Sequence, residues 1–263
     1  MKKLFVVSDI HGHYSPLKEA LDRSGFDKAD PEHLLICCGD YFDKGDENVQ
    51  VLEFFEGLER KVLLRGNHED MLLKLLTTGQ MHPHQFINGT ENTLKNFFGT
   101  FAPDPVDHRV DFSGQTHTVE KLCRFIRSTV NYYETERYVF VHGWLPEKGE
   151  TPEGRSAATA QDWEKARCAS WVRHYKDQPP LPDKTLVCGH IPTFCAEELN
   201  ITPDTEGDTI FYGKGLMAID AGTMDSKKVN VLVLEEQVCP RIKPNKRKRK
   251  GGPPVQEDRL VQL

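Results

Sequence analysis

Five short apolar segments of this 263-residue sequence end in histidine, aspartate or asparagine, usually beside a glycine. The polar stretches that end them are Ser8-Asp9-Ile10-His11-Gly12, Gly39-Asp40-Tyr41-Phe42-Asp43-Lys44-Gly45, Arg65-Gly66-Asn67-His68-Glu69, His142-Gly143 and Gly189-His190. Polar groups placed beside a core are costly unless something compensates them. Because open α/β sheets bind ligands at the carboxyl ends of their strands, the repetition predicts one site assembled from five strand ends.

The side chains gathered in this way are those of a metal centre. They comprise three imidazoles, two carboxylates and one amide, namely His11, His142, His190, Asp9, Asp40 and Asn67. This set suffices for two metal ions with Asp40 as a bridge and with water as a further ligand. Nitrogen and oxygen donors without a thiolate suit manganese, iron or zinc and disfavour copper(I). Each short pattern is common by chance, so the prediction depends on the five segments together.

The same segments resemble those of a known family. The stretches DIHGH, GDYFDKGD, LLRGNHED, FVHG and CGH occur in the order and approximate spacing of the calcineurin-like metallophosphoesterases. GDYFDKGD and LLRGNHE are similar to the phosphoprotein phosphatase (serine/threonine phosphatase) branch, and NHEDMLL followed by NGTENTL is similar to its bacterial members. The resemblance covers about residues 4–235. It implies an α/β fold in which two β-sheets pack face to face, with helices outside and the site at one rim.

The resemblance also implies a role for each residue. One metal would take Asp9, His11 and Asp40, and the other would take Asp40, Asn67, His142 and His190. A water molecule shared by the two metals would attack phosphorus in line. His68 would protonate the leaving oxygen as general acid, and Asp43 would hold that imidazole in place.

Fixed positive charge for the phosphate would come from Arg65, Lys44 and an arginine after His142. For the last position we prefer Arg167 to Arg173. The family pattern has arginine where this chain has Lys44. Because a lysine cannot form a bidentate fork with a phosphate, selectivity for phosphomonoesters stays open.

The elements that must position these residues are predicted from apolar runs and helical spacing. Seven runs rich in Val, Ile and Leu are predicted strands: Leu4–Val7, Leu34–Cys38, Val62–Leu64, Tyr138–Val141, Thr185–Cys188, Leu216–Ile219 and Val229–Leu234. Most do not alternate with polar residues, which indicates strands that are covered on both faces or packed inside a two-sheet core. Helical patterns between the first three indicate the order β-α-β-α-β. Residues 70–135 indicate a helical insert without strands, for which a lid and simple packing are both open.

The length and the 38% hydrophobic content suit a soluble protein with one sizeable core, or at most two domains. The family resemblance implies one metallophosphoesterase domain over residues 1–240. No apolar run approaches the ~20 residues of a membrane helix. The seven cysteines contain no CxxC pair and fit a reducing compartment. We therefore expect a cytoplasmic protein with no membrane partner.

The segment 241–263 differs from the rest in charge. It carries eight basic and two acidic side chains, a net of +6, whereas the whole chain carries −6 and residues 1–240 therefore −12. An acidic body of this kind is compatible with bound cations. The tail could contact nucleic acid, although a solvated, disordered segment is the simpler expectation.

The sequence therefore predicts a metal-dependent hydrolase of phosphomonoesters, with phosphoserine and phosphothreonine proteins as the expected substrates. We expect manganese in the two metal positions, with iron or zinc as alternatives. A hydrolase of diadenosine tetraphosphate or another nucleotide, or a phosphodiesterase, is the enzymatic alternative. Glu69 favours the phosphatase branch and Lys44 points away from it. A nucleic-acid-binding protein acting through the tail is the non-enzymatic alternative, and the complete ligand set argues against it.

Overall fold

The computed structural model describes residues 2–99, 103–104, 106–199 and 210–236. The predicted basic tail, residues 241–263, lies outside the described residues. Within the described ranges, no helix combines the length and the apolar character needed to span a membrane.

Strands of the described chain form two sheets. They are β1 (Lys2–Val7), β2 (His33–Cys37), β3 (Lys61–Leu63), β4 (Tyr133–Glu134), β5 (Tyr138–Phe140), β6 (Thr185–Cys188), β7 (Phe211–Gly213), β8 (Leu216–Ala218) and β9 (Leu232–Glu236). The first sheet has the order β3-β2-β1-β9 and the second β4-β5-β6-β8-β7. Strands β1, β2 and β3 are mutually parallel, and so are β5, β6 and β8. Parallel strands deliver their carboxyl ends to one edge, which is the edge where the site forms.

Helices cover the sheets. They are α1 (Tyr14–Ser24), α2 (Asn48–Glu56), α3 (Asn67–Thr78), α4 (Pro83–Ile87), α5 (Thr90–Phe98), α6 (Thr116–Ser128), α7 (Pro152–Ala157), α8 (Ala160–Arg167), α9 (Trp171–His174) and α10 (Thr223–Ser226), with a 3₁₀ helix at Thr193–Leu199. Helix α1 shows how the sequence sets these elements. Leu17, Ala20 and Leu21 form its buried stripe, and Gly25 ends it in the left-handed conformation, with φ of 78°.

The two faces of β1 lie in different parts of the core. Leu4 and Val6 join Phe140 and Val187 of the second sheet in a cluster between the sheets. Phe5 and Val7 point the other way, into the cluster formed with the first sheet's helices. Full burial of an aliphatic or aromatic side chain contributes about 1.5–3 kcal/mol. The predicted two-sheet α/β fold, with strands covered on both faces, is confirmed.

Two short strands are absent from the sequence prediction. Strand β4 consists of two half-buried residues. Strand β7 consists of three residues, of which only Phe211 is buried, and both strands pair antiparallel in the second sheet. Neither is long enough to form an apolar run. The expectation of no strand within residues 70–135 is therefore wrong at Tyr133–Glu134. Elsewhere this stretch is largely helical, and Leu72 of α3 and Phe125 of α6 join the cluster on the outer face of the first sheet.

Candidate metal centre

The first sheet supplies four of the six predicted ligands at the carboxyl ends of its strands. Asp9 and His11 follow β1, Asp40 follows β2, and Asn67 is the first residue of α3, shortly after β3. Asp9, His11 and Asp40 are buried, and Asn67 is half-buried. The first sheet therefore brings together donors that are up to 58 positions apart in the sequence.

The second sheet supplies the other two, His142 after β5 and His190 after β6. Hydrogen bonds fix them against the first sheet. The backbone N–H of His190 donates to Asp9 Oδ2 over 2.9 Å, and Nδ1 of His142 lies 2.8 Å from the carbonyl oxygen of Cys38. The structure therefore places all six predicted ligands at one rim, where the two sheets meet.

The backbone of these loops is strained. Six of the ten non-glycine residues with positive φ in the described chain are Asp9 (53°), His11 (47°), Asp40 (57°), Asp43 (75°), Lys44 (58°) and His190 (71°). The left-handed conformation costs an L-residue about 1–2 kcal/mol, so it persists only where the surroundings impose it. Here the loops bond to each other, because His11 N–H donates to the Asp40 carbonyl over 3.0 Å.

One glycine permits the close approach of these loops. A Cβ at Gly66 would collide with Asp40 Oδ1 and with the Asp40 backbone nitrogen. Only a residue without a side chain allows the turn before α3 to pass so near this carboxylate. Gly66 therefore lets Asn67 and His68 reach the same space as Asp40.

Asp40 lies between two groups of donors. Its Oδ2 is 3.6 Å from His11 Nε2 and 3.8 Å from His68 Nε2. Its Oδ1 is 3.4 Å from His142 Nε2. Asp40 belongs both to a group with His11 and His68 and to a group with His142 and His190, and within each group the donor atoms lie within 4.8 Å of one another. This is the geometry that a carboxylate bridging two cations requires.

The imidazoles present their Nε2 atoms to this space because their Nδ1 atoms are engaged. Nδ1 of His11 lies 2.9 Å from the carbonyl oxygen of Phe42, and Nδ1 of His142 is bound to a carbonyl in the same way. A carbonyl oxygen can only accept, so each Nδ1 carries the hydrogen. Neutral imidazoles of this tautomer offer a lone pair at Nε2, the arrangement found in metal-ligating histidines.

The remaining donors fit a bound cation as well. Asp9 is 1% exposed, and its Oδ2 accepts from Ser8 Oγ over 2.5 Å and from the His190 backbone. Its Oδ1 is buried, has no hydrogen-bond partner, and lies 4.0 Å from His11 Nε2. A buried carboxylate oxygen without a partner is costly, and a divalent cation beside His11 would satisfy it. Asn67 Oδ1 is similarly placed for the second group, 2.9 Å from His142 Nε2.

Burial and charge act in opposite directions on Asp40. Burial favours its neutral form, but the surrounding imidazoles, first His142 and then His68, outweigh burial and hold the pKa of Asp40 below its usual range. Burial, reinforced by His142, lowers the pKa of His190 to about 4. Burial, followed by the charge of His68, also lowers the pKa of His11. These shifts favour a charged Asp40 and neutral His11 and His190, which is the protonation state in which these groups bind metal ions.

His68 and Asp43 form the predicted pair. His68 Nδ1 lies 2.7 Å from Asp43 Oδ2, and both side chains are buried. Burial opposes protonation of His68, but Asp40 and Asp43 outweigh it and raise the pKa of this imidazole to about 9. A proton is therefore held on the ring at neutral pH, with Nδ1 turned to Asp43 and Nε2 turned to the metal centre.

The three residues predicted to bind phosphate lie in two different settings. Lys44 Nζ is 3.0 Å from His11 Nε2, so the positive charge of this lysine lies beside the predicted metal ligands. Arg167 is buried and donates to Asp70 and to Asn131 instead. Arg65 donates to Thr129 Oγ1 and to the Ile126 carbonyl, and its Nη1 lies 3.7 Å from Asp70 Oδ1.

Glu69, which by sequence serves only to place the chain within its family, also supports the site. Glu69 is fully buried, and its carboxylate accepts from the backbone N–H groups of Asp40, Tyr41 and Gly66 over 2.9–3.0 Å. It therefore ties the β2 loop to the start of α3. Its position three residues after Gly66 is the capping-box spacing that the sequence does display.

Comparisons with known proteins agree with this geometry. A model of the calcineurin-like phosphoesterase family matches residues 2–217. The serine/threonine-protein phosphatase 2 of Escherichia coli (strain K12) is 39% identical over 79 residues, which are 30% of this chain and 34% of that relative. The symmetrical bis(5'-nucleosyl)-tetraphosphatase of Coxiella burnetii is 26% identical over 147 residues, 55% of this chain and 43% of that relative. The chain thus spans less than half the length of these two relatives.

A solved structure shows the same fold. The crystal structure of the cold-active protein-tyrosine phosphatase of a psychrophilic Shewanella species matches with a TM-score of 0.54 at 17% sequence identity. The match covers 89% of this chain and 76% of the other.

Proposed function

Because the chain belongs to the calcineurin-like phosphoesterase family, we propose that it hydrolyses phosphate esters with two divalent metal ions. The family match confirms the resemblance deduced from the five strand-end motifs. The observation that carries the proposal is Asp40, whose two oxygens face separate groups of histidines. One metal would be held by Asp9, His11 and Asp40, and the other by Asp40, Asn67, His142 and His190. We propose manganese for both, with iron or zinc as alternatives.

When bound, a pair of such cations neutralises phosphate charge and activates a water molecule for attack on phosphorus. The residues of the chain supply the other requirements of the reaction. Lys44, beside His11, places a positive charge where phosphate oxygens would lie. Arg65 and Arg167 would have to release Asp70 before they could contact a phosphate.

His68 is proposed as the general acid. Its Nδ1 is bound to Asp43, so the proton that it can deliver is at Nε2, the nitrogen that faces Asp40 and the metal centre. Its raised pKa keeps this proton in place at neutral pH. Transfer of the proton to the leaving oxygen would avoid release of an unstable alkoxide.

We propose phosphoserine and phosphothreonine residues of proteins as the substrates. Serine and threonine are alcohols that leave poorly without a proton, and the buried Asp43–His68 pair is suited to supply one. The serine/threonine-protein phosphatase 2 of Escherichia coli, which is 39% identical to this chain over 79 residues, is a relative on which this proposal draws.

A nucleotide hydrolase is the second candidate. The match to the symmetrical bis(5'-nucleosyl)-tetraphosphatase covers more of this chain, 55% against 30%. Lys44 also favours this candidate, because its single charged amine lacks the fork that selects the terminal oxygens of a monoester.

A substrate panel separates the two candidates. Protein stripped of metal with a chelator should regain activity when manganese is added, and iron, zinc, nickel and magnesium give the order of preference. Under the proposal, a phosphothreonine peptide is turned over with a higher kcat/KM than diadenosine tetraphosphate or a bis-aryl phosphate diester. Preference for either of the last two would reject the phosphatase assignment, and no turnover with any metal would reject the enzyme.

A further inference from the structure

The beginning of α5 lies directly on the turn that carries Asp43. Thr93 Oγ1 is 2.8 Å from Asp43 Oδ1, and Thr90 Oγ1 is 3.1 Å from Asp43 Oδ2. Both threonines and Asp43 are fully buried. The two threonines belong to the stretch NGTENTL, which is similar to bacterial members of the family. The proposed reaction gives this stretch no role.

The hydrogen bonds of Asp43 leave its carboxylate a single orientation. Oδ2 accepts from His68 Nδ1 and from Thr90, and Oδ1 accepts from Thr93. The backbone N–H of Asp43 donates in turn to Thr93 Oγ1 over 2.8 Å and to Asn48 Oδ1 over 3.0 Å. Thr93 therefore bonds both to the backbone and to the side chain of Asp43, and it sets the position of the whole residue.

The same segment also holds the neighbouring residue, Lys44. Lys44 N–H donates to the Gly89 carbonyl over 3.3 Å, and Asn92 Nδ2 donates to the Lys44 carbonyl over 2.6 Å. A Cβ at Gly89 would collide with the Lys44 backbone, so the contact requires a glycine. Since Asp43 and Lys44 both have left-handed backbones, these bonds help to impose a conformation that neither residue prefers.

We propose that Thr90 and Thr93 are positioning residues for the general acid, acting on His68 through Asp43. The inference rests on the proposed hydrolysis, in which His68 protonates the leaving oxygen. An Asp43 carboxylate bound only to His68 could turn about its side-chain bonds and carry the imidazole with it. Displacements of about 1 Å in a reacting group can cost up to ~10²-fold in rate. The segment 88–96 thus connects helix α5 to the proposed general acid through the hydrogen bonds to Asp43.

The test uses the dependence of the rate on the leaving group. A general acid matters most for a poor leaving group such as the threonine alkoxide and least for a nitrophenolate, which leaves without a proton. We expect Thr93→Val to lower kcat for a phosphothreonine peptide about tenfold or more, and kcat for a nitrophenyl phosphate much less. Thr93→Ser, which retains the hydroxyl, should restore most of the peptide rate. Thr90→Val should show the same pattern, more weakly, because its bond is longer.

Thr135→Val is the matched control. Thr135 donates to the carboxylate of Glu236 over 2.7 Å, at the β4–β5 turn and therefore away from the metal centre. The control loses the same kind of bond and should leave both rates unchanged. Metal content and thermal unfolding are measured for every variant, and Thr90→Val gives the answer if Thr93→Val does not fold.

The outcomes separate this inference from the proposed function. If Thr93→Val lowers both rates by the same factor, or Thr93→Ser fails to restore the peptide rate, the threonines support the fold and the inference is overturned. If His68→Asn changes the leaving-group dependence and Thr93→Val does not, the general acid stands and the positioning role fails. A wild-type protein that hydrolyses neither ester would remove the proposed function itself.

Discussion

Two neighbouring polar clusters at the rim of the sheets differ in where their charged groups find partners. We call the first the donor cluster: Asp9, His11, Asp40, Asn67, His68, His142 and His190. We call the second the arginine cluster: Arg65, Asp70, Asn131 and Arg167. They are close together, because Asp70 lies in the first turn of α3 with Asn67, and the backbone of Cys168, next to Arg167, is hydrogen-bonded to the ring of His190.

The difference lies in where each cluster finds its partners. In the donor cluster, Asp9 Oδ1 is buried without a partner, and the Nε2 atoms of His11 and His142 face Asp40. In the arginine cluster, Arg167 donates from Nε and Nη2 to Asp70 at 2.6 and 2.5 Å, and from Nη1 to Asn131 at 2.8 Å. The first cluster therefore contains a buried oxygen that a bound cation would satisfy, whereas the second is satisfied by the protein itself.

The largest expected effect comes from Asp40→Asn, which changes the one residue that belongs to both groups of donors in the donor cluster. An uncharged amide offers a single oxygen, so it should not bridge two metals as the Asp40 carboxylate would. We therefore expect the purified variant to lose most of both metals, and the proposed phosphoesterase activity to fall to background. Metal content by elemental analysis and kcat with added manganese measure this. A variant that keeps two metals per chain would show that Asp40 does not connect the two groups.

The second effect separates proton transfer from metal binding. His68→Asn should lower kcat for a phosphothreonine peptide by about 10²–10⁴-fold, the usual contribution of a general acid. The metal content should stay the same, because Asp9, His11 and Asp40 remain. Asp43→Asn should follow in the same direction with a smaller loss. If His68→Asn instead releases a metal, this imidazole is a ligand rather than the proton donor.

The donor cluster was accessible to prediction from the sequence, and the reason is physical. Each of its residues follows a strand, and parallel strands carry their ends to the same edge whatever the rest of the chain does. Types and positions together therefore predicted that the six donors meet at one rim, whereas the Asp43–His68 pair came from the family resemblance, and the role of each donor as a metal ligand stays a prediction. The pairing of two sheets came from the family resemblance alone, because apolar runs do not say which sheet a strand joins.

The arginine cluster was not accessible in this way. The sequence predicts Arg167 as a charge available to phosphate, but its partner Asp70 is 97 positions away and lies on another helix. Contacts of α5 with Asp43 were equally hidden, since Thr93 is 50 positions from its partner. Side-chain pairs between distant helices depend on packing that no local pattern encodes.

Arg167→Met tests whether the arginine cluster serves the fold. Removing the guanidinium leaves the Asp70 carboxylate half-buried, with only the more distant Arg65 opposite. We expect a loss of about 3 kcal/mol in the free energy of unfolding, at the low end for breaking a buried ion pair, because Asp70 retains some exposure. The loss in kcat/KM should stay below about tenfold. Denaturant unfolding and steady-state kinetics measure the two quantities.

Replacing both partners sharpens this test. In Asp70→Leu with Arg167→Met no unpaired charge remains, so part of the lost stability should return. The opposite pattern would overturn the comparison. If Arg167→Met retains its stability but loses activity strongly, the arginine leaves Asp70 to bind phosphate, and its predicted role in the site is correct.

The smallest effect comes from an ion-pair group remote from the rim. Glu134 of β4 accepts from Arg155 Nη2 over 2.9 Å and lies 2.8 Å from Lys184 Nζ. Burial raises the pKa of Glu134, but hydrogen bonds from Lys184 and Arg155 outweigh burial. The pKa of Glu134 therefore lies below its usual value of 4.5. A carboxyl whose pKa is depressed by folding stabilises the protein above its unfolded pKa. That contribution disappears as the pH falls through the lower, folded value.

Glu134→Gln should therefore lower the free energy of unfolding by less than about 1 kcal/mol at neutral pH, because the carboxylate is partly exposed and screened. The difference from wild type should narrow as the pH falls below 4.5. Glu19→Gln, which loses an exposed pair with Arg23 on α1, is the control and should change less. Denaturant unfolding of the metal-free proteins across this pH range measures the difference, and kcat of the metal-loaded variants should be unchanged. If the difference in unfolding free energy widens in acid, the ion pairs of Glu134 do not stabilise the protein. If kcat falls, this remote group contributes to the site.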